Sequence, residues 1–422
     1  MDAFTILDNK FMNQAVNSTS PKLPLAGLRV IDLTAVLMGP VATQVLGEMG
    51  ADVIKIEAPD GDMVRLIGPV KHHGMGPVFI NANRNKRSAV LDLKNADAKA
   101  ALLELVKSAD VFIYNVRPQA VARLGLGYEA LSAINPRLVY VGVFGYAQDG
   151  PYAAKPAYDD LIQGASGLAS LFQMRDGSAP AYVPNALADR ITGLAAVNAV
   201  LGALLERERS GLGQRVDVPM FETMVNFTLG DHMGGLSFAP ALDSGGYARQ
   251  LAPGRRPYRT QDGFISALIY TDKQWRSFYQ LLGREDEFAH DERLKSLATR
   301  TLHVHALYAE LEAILATRST AQWLDALNAA DIPAMPVHDL QSLLSDPHLQ
   351  ATGHFQAEQH PSEGQLLALR SASRWSRTPI ANTRPAPRLG EHTREVLAEA
   401  GLSAAAIDAL IAQGAAKAAS PL

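Results

Sequence analysis

The sequence predicts an α/β fold, with a Rossmann-like large domain around a parallel sheet and a smaller α+β domain. Residues 28–57 show a strand, a helix and a second strand in about thirty residues, the pattern of a βαβ unit. Strand and helix patterns then alternate up to residue 144, whereas helical patterns dominate from residue 226 to residue 330. Consecutive βα units imply that ligands bind at the carboxyl ends of the strands.

The elements of the large domain follow from hydrophobic periodicity and turn residues. Short apolar runs predict strands at 28–33, 51–57, 88–93, 111–115, 138–144 and 215–218. Helical spacing predicts helices at 41–49, 96–108, 193–208 and 220–229. Gly50 ends the first helix, and Asn135 with Pro136 forms the turn before the fifth strand.

The rest of the chain predicts a second domain and a return to the first. A strand at 264–269 and helices at 274–282, 304–315 and 321–330 belong to a small domain of residues 226–330. Trp275 and Trp323 have apolar neighbours at helical spacing, which predicts core positions. Residues 331–422, with a strand at 366–369 and an Ala-rich surface helix at 404–419, are predicted to rejoin the large domain, whose N-terminal part is residues 1–225.

The composition excludes several classes of site and partner. The chain has 422 residues, 47% hydrophobic and 19% charged, and its net charge of −4 offers no basic excess for nucleic acid. It has no cysteine, so disulfides, thiolate metal sites and cysteine nucleophiles are excluded, and its histidines show no metal-ligand spacing. It has no run of eighteen apolar residues, and its first 24 residues have no leader pattern. We therefore expect a cytoplasmic protein without a metal or a membrane partner.

The turn after the first strand lacks the common nucleotide-binding motifs. From Thr34 to Pro40 it contains neither G-x-G-x-x-G nor a Walker lysine. The sheet is therefore predicted to bind something other than NAD or ATP in the usual way, at the same strand-end edge.

Asp189 is the most informative single residue. It stands where a loop gives way to a long apolar run. The free N–H groups of a first helical turn stabilise an anion, and an ionised carboxylate in a cleft can attack an activated acyl group. An N-cap role for Asp189 is the alternative.

Several motifs, in their order and spacing, resemble those of class III CoA-transferases, a family that includes formyl-CoA transferase and carnitine CoA-transferase. The resemblance covers the chain from about residue 24 to residue 355. Its motifs are Gly-Leu-Arg-Val-Ile-Asp-Leu from Gly27, Gly-Ala-Asp-Val-Ile-Lys-Ile-Glu from Gly50, Gly-Asp-Met-Val-Arg from Gly61, Asn-Lys-Arg-Ser from Asn85, Leu-Asp-Leu-Lys from Leu91, Asn-Val-Arg-Pro from Asn115 and Ser-Gly-Leu-Gly-Gln from Ser210. It implies an interlocked homodimer that acts on acyl-CoA and small carboxylic acids, with CoA as substrate and no permanently bound cofactor.

The resemblance places the family's nucleophile on Asp189. It implies that Asp189 forms a mixed anhydride with the acyl group, then a thioester with CoA, and that an acceptor acid takes over the CoA through a second anhydride. Tyr158 matches an active-site tyrosine of formyl-CoA transferase; a half-buried ring with a bonded hydroxyl is the alternative. The glycine pairs 234–235 and 245–246 are candidate oxyanion donors.

The resemblance also implies a set of CoA-binding positions. They are Leu37, Met38, Leu91, Asp92, Leu93, Lys94, Asn115, Val116, Arg117 and Arg123. Lys94 and Arg123 would meet phosphates, and a solvated surface charge is the alternative for each. The chain departs from the family pattern at Ala35 and Leu37, where the transferases often have His and Gln, and at Ala58, where an arginine stacks on adenine.

Other functions and roles stay open. The α-methylacyl-CoA racemases of the same superfamily use a histidine where this chain has Tyr158, and a tyrosine is a poor base at neutral pH, which favours the transferase. A CoA-binding protein without turnover is the other alternative. The run from Arg255 to Arg259 either clamps a carboxylate of a small dicarboxylate, such as the succinyl group of succinyl-CoA, or is a solvated loop. Asp159 either faces the substrate or caps the helix that begins near Leu161.

Overall fold

The structure, a computed structural model, describes residues 23–420, so the prediction about a leader falls almost wholly outside the described residues. The chain forms two compact units. Among the described residues, unit 1 contains residues 23–166, Val183–Asn226 and residues 347–420, and unit 2 contains Gly167–Tyr182 and Phe227–Asp346. The domain boundaries predicted at 225/226 and 330/331 stay predictions. They refer to domains that fold by themselves, and a division into compact units does not identify such domains.

Strands occur in both units. In chain order they are β1 (Arg29–Leu33), β2 (Asp52–Glu57), β3 (Lys86–Leu91), β4 (Val111–Tyr114), β5 (Val139–Phe144), β6 (Arg215–Pro219), β7 (Tyr258–Arg259), β8 (Phe264–Ala267), β9 (Ala334–Pro336), β10 (Phe355–His360), β11 (Gly364–Leu369) and β12 (Ala416–Lys417).

Most of the predicted α-helices lie close to their predicted positions, but α8 begins at Leu187 and not at residue 193, and α18 ends at Ala412 and not at residue 419. They are α1 (Met38–Glu48), α2 (Pro77–Ala82), α3 (Ala96–Val106), α4 (Pro118–Arg123), α5 (Tyr128–Ile134), α6 (Asp159–Ala165), α7 (Ser170–Asp176), α8 (Leu187–Ser210), α9 (Met220–His232), α10 (Asp272–Leu281), α11 (Glu285–His290), α12 (Leu297–Leu302), α13 (Val304–Leu315), α14 (Thr320–Ala329), α15 (Leu340–Leu344), α16 (Pro347–Ala351), α17 (Thr393–Glu399) and α18 (Ala404–Ala412).

A seven-stranded sheet forms the centre of unit 1. Its strand order is β12-β3-β2-β1-β4-β5-β6, and every pair is parallel except β12 with β3. The predicted α/β fold with a parallel sheet is therefore confirmed. The order 3-2-1-4-5-6 changes direction between β1 and β4, and open α/β sheets bind ligands outside the strand ends at such a point.

Helices cover this sheet, so its central strands are apolar throughout. β4 and β5 are buried at every residue. A core that includes Phe112, Tyr140 and Leu397 joins one face to α3, α5, α17 and α18. α1 and α8 contribute nothing to that core; they pack on each other, and α8 also packs on β5 and β6. The sheet thus carries helices on both faces, with α8 and α1 together on the second.

The Ala-rich C-terminal segment differs from its prediction. α18 ends at Ala412, and Gly414 has a φ of 73°, a left-handed conformation that ends a helix. The chain then forms β12, in which Ala416 pairs with Leu91 of β3 and is buried. The pairing protects the edge of the sheet at β3. The single surface helix predicted at 404–419 is therefore wrong.

Unit 2 contains an antiparallel sheet and a helical layer. β8 pairs with β7 and with β9. The core of this unit includes Trp275, Phe278 and Trp323, so the predicted core positions of the two tryptophans are confirmed. Thr271 and Ser319 form capping boxes that fix the starts of α10 and α14.

Among the described residues, α8 is the one helix whose length and apolar composition would allow it to cross a membrane. Its packing against α1, β5 and β6 accounts for that composition, because core helices pass the same test.

Candidate active site

Asp189 lies in the first turn of α8, as its sequence context predicts. The N-cap residue of the helix is Ala186, whose own side chain makes no capping hydrogen bond. Asp189 is the third residue of the helix, so the alternative that it is an N-cap is wrong. Its side chain is half-buried, which leaves a carboxylate that a substrate can reach.

A second carboxylate, that of Asp159, holds the start of α8. The backbone N–H of Asp189 donates to Asp159 Oδ1 at 2.9 Å, and the Nε2 of Gln163 donates to Oδ2 at 2.6 Å. Gln163 is buried and accepts from the Val183 N–H at 2.9 Å, which fixes the segment before α8. Asp159 is the first residue of α6, whose N-cap is Tyr158, so Asp159 caps α8 and not its own helix.

The pKa of Asp189 is raised from 3.8 to about 6. Burial of the carboxylate is the larger cause and the negative charge of Asp159 the second, while Arg190 acts in the opposite direction. The sequence predicts that the helix N-terminus favours the anion, but burial and the charge of Asp159 act in the opposite direction and leave the pKa of Asp189 raised. At a pH well above 6 this carboxylate is ionised and more basic than an ordinary aspartate, which suits a nucleophile.

The start of α8 packs on the start of α1. A Cβ on Gly193 would lie 2.7 Å from the carbonyl oxygen of Met38, so only glycine allows this approach. Asp189 is four residues before Gly193 and therefore on the same face of α8. This contact places the first turns of α8 beside the start of α1, where Leu37 and Met38 follow β1.

This end of α1 presents free donors. Leu37 is the N-cap of α1, and within residues 23–420 the N–H groups of Leu37, Met38 and Gly39 donate to no protein acceptor. Successive free N–H groups at a helix N-terminus attract an oxyanion.

The predicted oxyanion donors are occupied in unit 2. The N–H groups of Gly235 and Gly245 both donate to Asp243 Oδ1 at 2.8 Å, and the Gly246 N–H donates to the His232 carbonyl at 2.8 Å. Three of the four glycine N–H groups are therefore used in hydrogen bonds within unit 2. The expectation that these three donate to an oxyanion is wrong.

Buried charges hold the turn between β1 and α1. Val36 has a φ of 67°, unusual for a β-branched residue, and its N–H donates to both carboxylate oxygens of Asp62 at 3.1 and 3.2 Å. Lys55 is fully buried and donates to Asp62 at 3.1 Å and to the Thr34 carbonyl at 2.7 Å. Sequence reasoning assigned no role to Lys55 or Asp62, although a lysine inside the strand Val-Ile-Lys-Ile is a signal of a buried ion pair.

Asn115 closes the same turn from the neighbouring strand. It follows β4, and its side chain accepts from the Ala35 N–H at 2.8 Å and donates to the Ala35 carbonyl at 2.7 Å. The amide of this predicted CoA-binding residue is therefore used to join the loops after β1 and β4. Val116 and Arg117 next to it are exposed.

The other predicted CoA-binding positions are spread along the carboxyl edge of the sheet. Leu91 is buried at the end of β3, and Leu93 packs partly on the core. Asp92 Oδ1 accepts from the Lys94 N–H at 3.0 Å, and the Lys94 side chain is exposed. The exposed Arg123 ends α4. Since β2 separates β3 from β1, residues 91–94 lie apart from the cluster of Asp189 with the N-terminus of α1.

Tyr158 is exposed at the start of α6. Its side chain is 63% exposed, and its hydroxyl makes no hydrogen bond to the part of the chain that the structure describes. The alternative of a half-buried ring with a bonded hydroxyl is therefore wrong. Its neighbour Asp159 bonds the Asp189 N–H, which places Tyr158 beside the start of α8.

No group of three or more His, Asp or Glu side chains among residues 23–420 is arranged to hold a metal ion.

Comparison with known proteins agrees with the resemblance in the motifs. The profile of CoA-transferase family III matches residues 25–393. The succinate–glutarate CoA-transferase of Agrobacterium fabrum is 36% identical over 395 residues, 90% of this chain and 96% of that protein. The formyl-CoA:oxalate CoA-transferase of Rhodopseudomonas palustris is 32% identical over 401 residues, 88% of this chain and 92% of that protein.

A solved structure gives the same result. A CaiB/BaiF family protein from Brucella suis superposes with a TM-score of 0.77 at 32% identity, over 90% of this chain and all of that chain. These relatives are named as transferases, which favours the transferase over the racemase and over a binding protein without turnover. The chain belongs to CoA-transferase family III and is a CoA-transferase.

Proposed function

We propose that this protein moves CoA from an acyl-CoA to a carboxylic acid through covalent intermediates on Asp189. The observation that carries the proposal is the half-buried Asp189 carboxylate, whose pKa is about 6, beside free N–H groups at the start of α1. Two helix N-termini thus meet at the carboxyl edge of the sheet, where α/β folds bind ligands.

The proposed reaction begins with two exchanges on Asp189. An Asp189 oxygen attacks the thioester carbonyl, the C–S bond breaks, and the products are a mixed anhydride and the CoA thiolate. The thiolate then attacks the Asp189 carbonyl carbon. The C–O bond of the anhydride breaks, the donor acid leaves as a carboxylate, and an aspartyl-CoA thioester remains.

The second half repeats these steps with the acceptor. The acceptor carboxylate attacks the aspartyl thioester and expels the CoA thiolate, which gives a second anhydride. The thiolate then attacks the acyl carbon of the acceptor and expels Asp189 as a free carboxylate. No proton, electron or water is consumed in the cycle, because in each step a carboxylate or thiolate attacks and a thiolate or carboxylate leaves. Since each bond broken is replaced by one of similar energy, no ATP is needed.

Each attack creates an oxyanion that needs donors. The N–H groups of Leu37, Met38 and Gly39 suit this role, because they are unpaired within the described chain and stand at a helix N-terminus. The turn that carries them is held by Asp62 and Asn115, so the donors are fixed before the substrate binds.

For CoA, we propose the positions of the motif resemblance. Leu37 and Met38 line the path to Asp189, and Asn115 positions this turn. Lys94, Arg117 and Arg123 are exposed cations near the strand ends and would meet phosphates, while residues 91–93 would form the edge of the groove. CoA is then a substrate, with no permanently bound cofactor.

Dicarboxylates are the proposed acids. The relative from Agrobacterium fabrum is named for succinate and glutarate, and the one from Rhodopseudomonas palustris for oxalate. We therefore propose a dicarboxylyl-CoA such as succinyl-CoA as the donor and a small dicarboxylate as the acceptor, handled by an interlocked homodimer in the cytoplasm. A monomeric mass by light scattering at micromolar concentration would contradict the dimer.

Trapping of the intermediate tests the mechanism. The protein is mixed with succinyl-CoA or glutaryl-CoA without acceptor, treated with hydroxylamine and digested for mass spectrometry. We expect a hydroxamate at Asp189 that is absent from Asp189→Asn and retained in Asp160→Asn, an exposed carboxylate on α6. Full transferase activity of Asp189→Asn, or a hydroxamate at another residue, would overturn the mechanism.

A further inference from the structure

Unit 2 contains a cavity whose charged lining is entirely cationic. Its volume is about 600 Å³, within the range of small-molecule sites. Three arginines line it, together with two tyrosines and an apolar wall, and no carboxylate does. The arginines are Arg249, Arg255 and Arg256.

Arg249 is only partly satisfied by protein. Its guanidinium lies 4.7 Å from the centre of the Tyr270 ring, and its Nε is buried without a hydrogen-bond acceptor in the described chain. A buried donor without an acceptor is costly, and a guanidinium that stacks on an aromatic ring still offers its edge to an anion. Arg249 also makes no ion pair with a carboxylate of residues 23–420.

Arg255 adds a second uncompensated charge. Its side chain is exposed and has no acidic partner within the described residues. Arg256 differs, because its Nη2 donates to both carboxylate oxygens of Glu312 at 2.8 and 3.0 Å. Two of the three arginines therefore carry positive charge that nothing in the described chain neutralises.

The remaining wall offers hydroxyl donors and apolar surface. Tyr258 is only 5% exposed, and burial raises its pKa, so its hydroxyl stays protonated. Within the described residues the hydroxyls of Tyr258 and Tyr308 make no hydrogen bond. Leu268, Ile269 and Met335 supply apolar contacts. This lining suits a molecule with a charged group and a hydrophobic body.

We propose that this cavity binds an organic oxyanion, a carboxylate or a phosphate carried on a partly apolar body, through Arg249 and Arg255. Guanidinium groups recognise both anions by paired hydrogen bonds. The two sources of that chemistry in a CoA-transferase are the dicarboxylic acid and the phosphorylated part of CoA. The choice of a dicarboxylic acid rests on the proposed function, but the proposal does not depend on the transfer reaction at Asp189, because binding is measured without turnover.

Calorimetry on the full-length protein tests the site. The titrants are glutarate and adenosine 3′,5′-bisphosphate, added separately to the unaltered protein, to Arg249→Gln/Arg255→Gln and to Arg259→Gln. Arg259 is an exposed arginine on β7 that does not line the cavity, which makes it the matched control. A second series repeats the titrations with Asp189→Asn added to each protein. Binding is then measured without any reaction at Asp189, so the result can be interpreted even if the catalytic proposal fails.

We expect the double variant to lose at least about tenfold in affinity for one titrant, with the Arg259→Gln protein unchanged. Loss for glutarate identifies a carboxylate site, and loss for the bisphosphate identifies a phosphate site; both support the proposal. Equal affinities in the double variant and the control, or no binding of either titrant, would overturn it. A circular-dichroism melt that matches the control excludes misfolding as the cause.

Discussion

The backbone N–H of Asp189 donates a 2.9 Å hydrogen bond to the carboxylate of Asp159, a residue thirty positions earlier in the chain. The bond fixes the first turn of α8 and places a second negative charge beside the Asp189 carboxylate. It thereby couples the position of Asp189 to its pKa, since the same group supplies the acceptor and the repulsion.

Replacement of Asp159 is expected to change the pH dependence of the reaction. In Asp159→Asn the new amide oxygen can still accept the Asp189 N–H, but the side chain carries no charge, so the pKa of Asp189 falls from about 6 towards 3.8. The acid limb of kcat/KM, which reports this ionisation, should therefore move to lower pH in this variant.

Arg190→Gln is the control variant that should shift the pKa of Asp189 in the opposite direction. Arg190 lowers the pKa of Asp189, so its removal should move the acid limb to higher pH. Shifts of both variants in the same direction, measured from about pH 4.5 to about pH 8.5, would refute the assignment of the limb to Asp189.

Substitution of Gly193 is expected to separate the two helix N-termini. The new methyl group in Gly193→Ala would lie 2.7 Å from the Met38 carbonyl oxygen, so α8 and α1 must move apart. We expect kcat to fall about tenfold or more, because small displacements of catalytic groups are costly.

Gly202→Ala in the same helix is the matched control. A Cβ there meets nothing within 4 Å, so the variant should keep its activity and gain about 0.5–1 kcal/mol in stability. If the Gly193 variant is as active as the Gly202 variant in steady-state assays, the close approach of the helices does not position Asp189.

Asp189→Asn is expected to stabilise the fold while it removes activity. The folded pKa of about 6 lies above the ordinary 3.8, so the native state binds more protons between these values and wild-type stability falls as pH rises. The variant should therefore melt at a higher temperature than the wild type above about pH 6, with a difference that shrinks below about pH 4.

Such a gain is typical of a functional residue held at a cost to stability. Scanning calorimetry at about pH 4, 6 and 8 measures it. A variant that is less stable than the wild type at the highest of these pH values would show that the carboxylate contributes to the fold.

Removal of only one partner of the Lys55–Asp62 ion pair is expected to destabilise the fold. Lys55→Met leaves the Asp62 carboxylate buried without its cation, and loss of about 3–5 kcal/mol is typical of such a change. Lys55→Met/Asp62→Asn restores neutrality and keeps an acceptor for the Val36 N–H. Urea denaturation should find the double variant more stable than the single one; the reverse order would contradict the pairing.

Much of the fold could be predicted because strand and helix patterns depend on residues that are close together in the sequence. Apolar runs and helical spacing placed β1–β6, α1 and α3 within a few residues of their positions in the structure. The sequence placed Asp189 at a loop-to-helix transition, and the structure starts α8 at Leu187, before the predicted start at residue 193, so that Asp189 lies in the first turn. The family motifs were also readable, since they depend on residue order alone.

The sequence by itself thus determined the fold class, the family and the candidate nucleophile. Only the tertiary structure decided that Asp159 caps α8, that Gly193 brings α8 onto α1, and that Lys55 with Asp62 holds the turn after β1. Pairing with β3 also makes residues 416–417 a strand, β12, where the sequence predicts the end of a helix. The reason is physical: burial, pKa and contact depend on groups distant in the chain, which no local pattern contains.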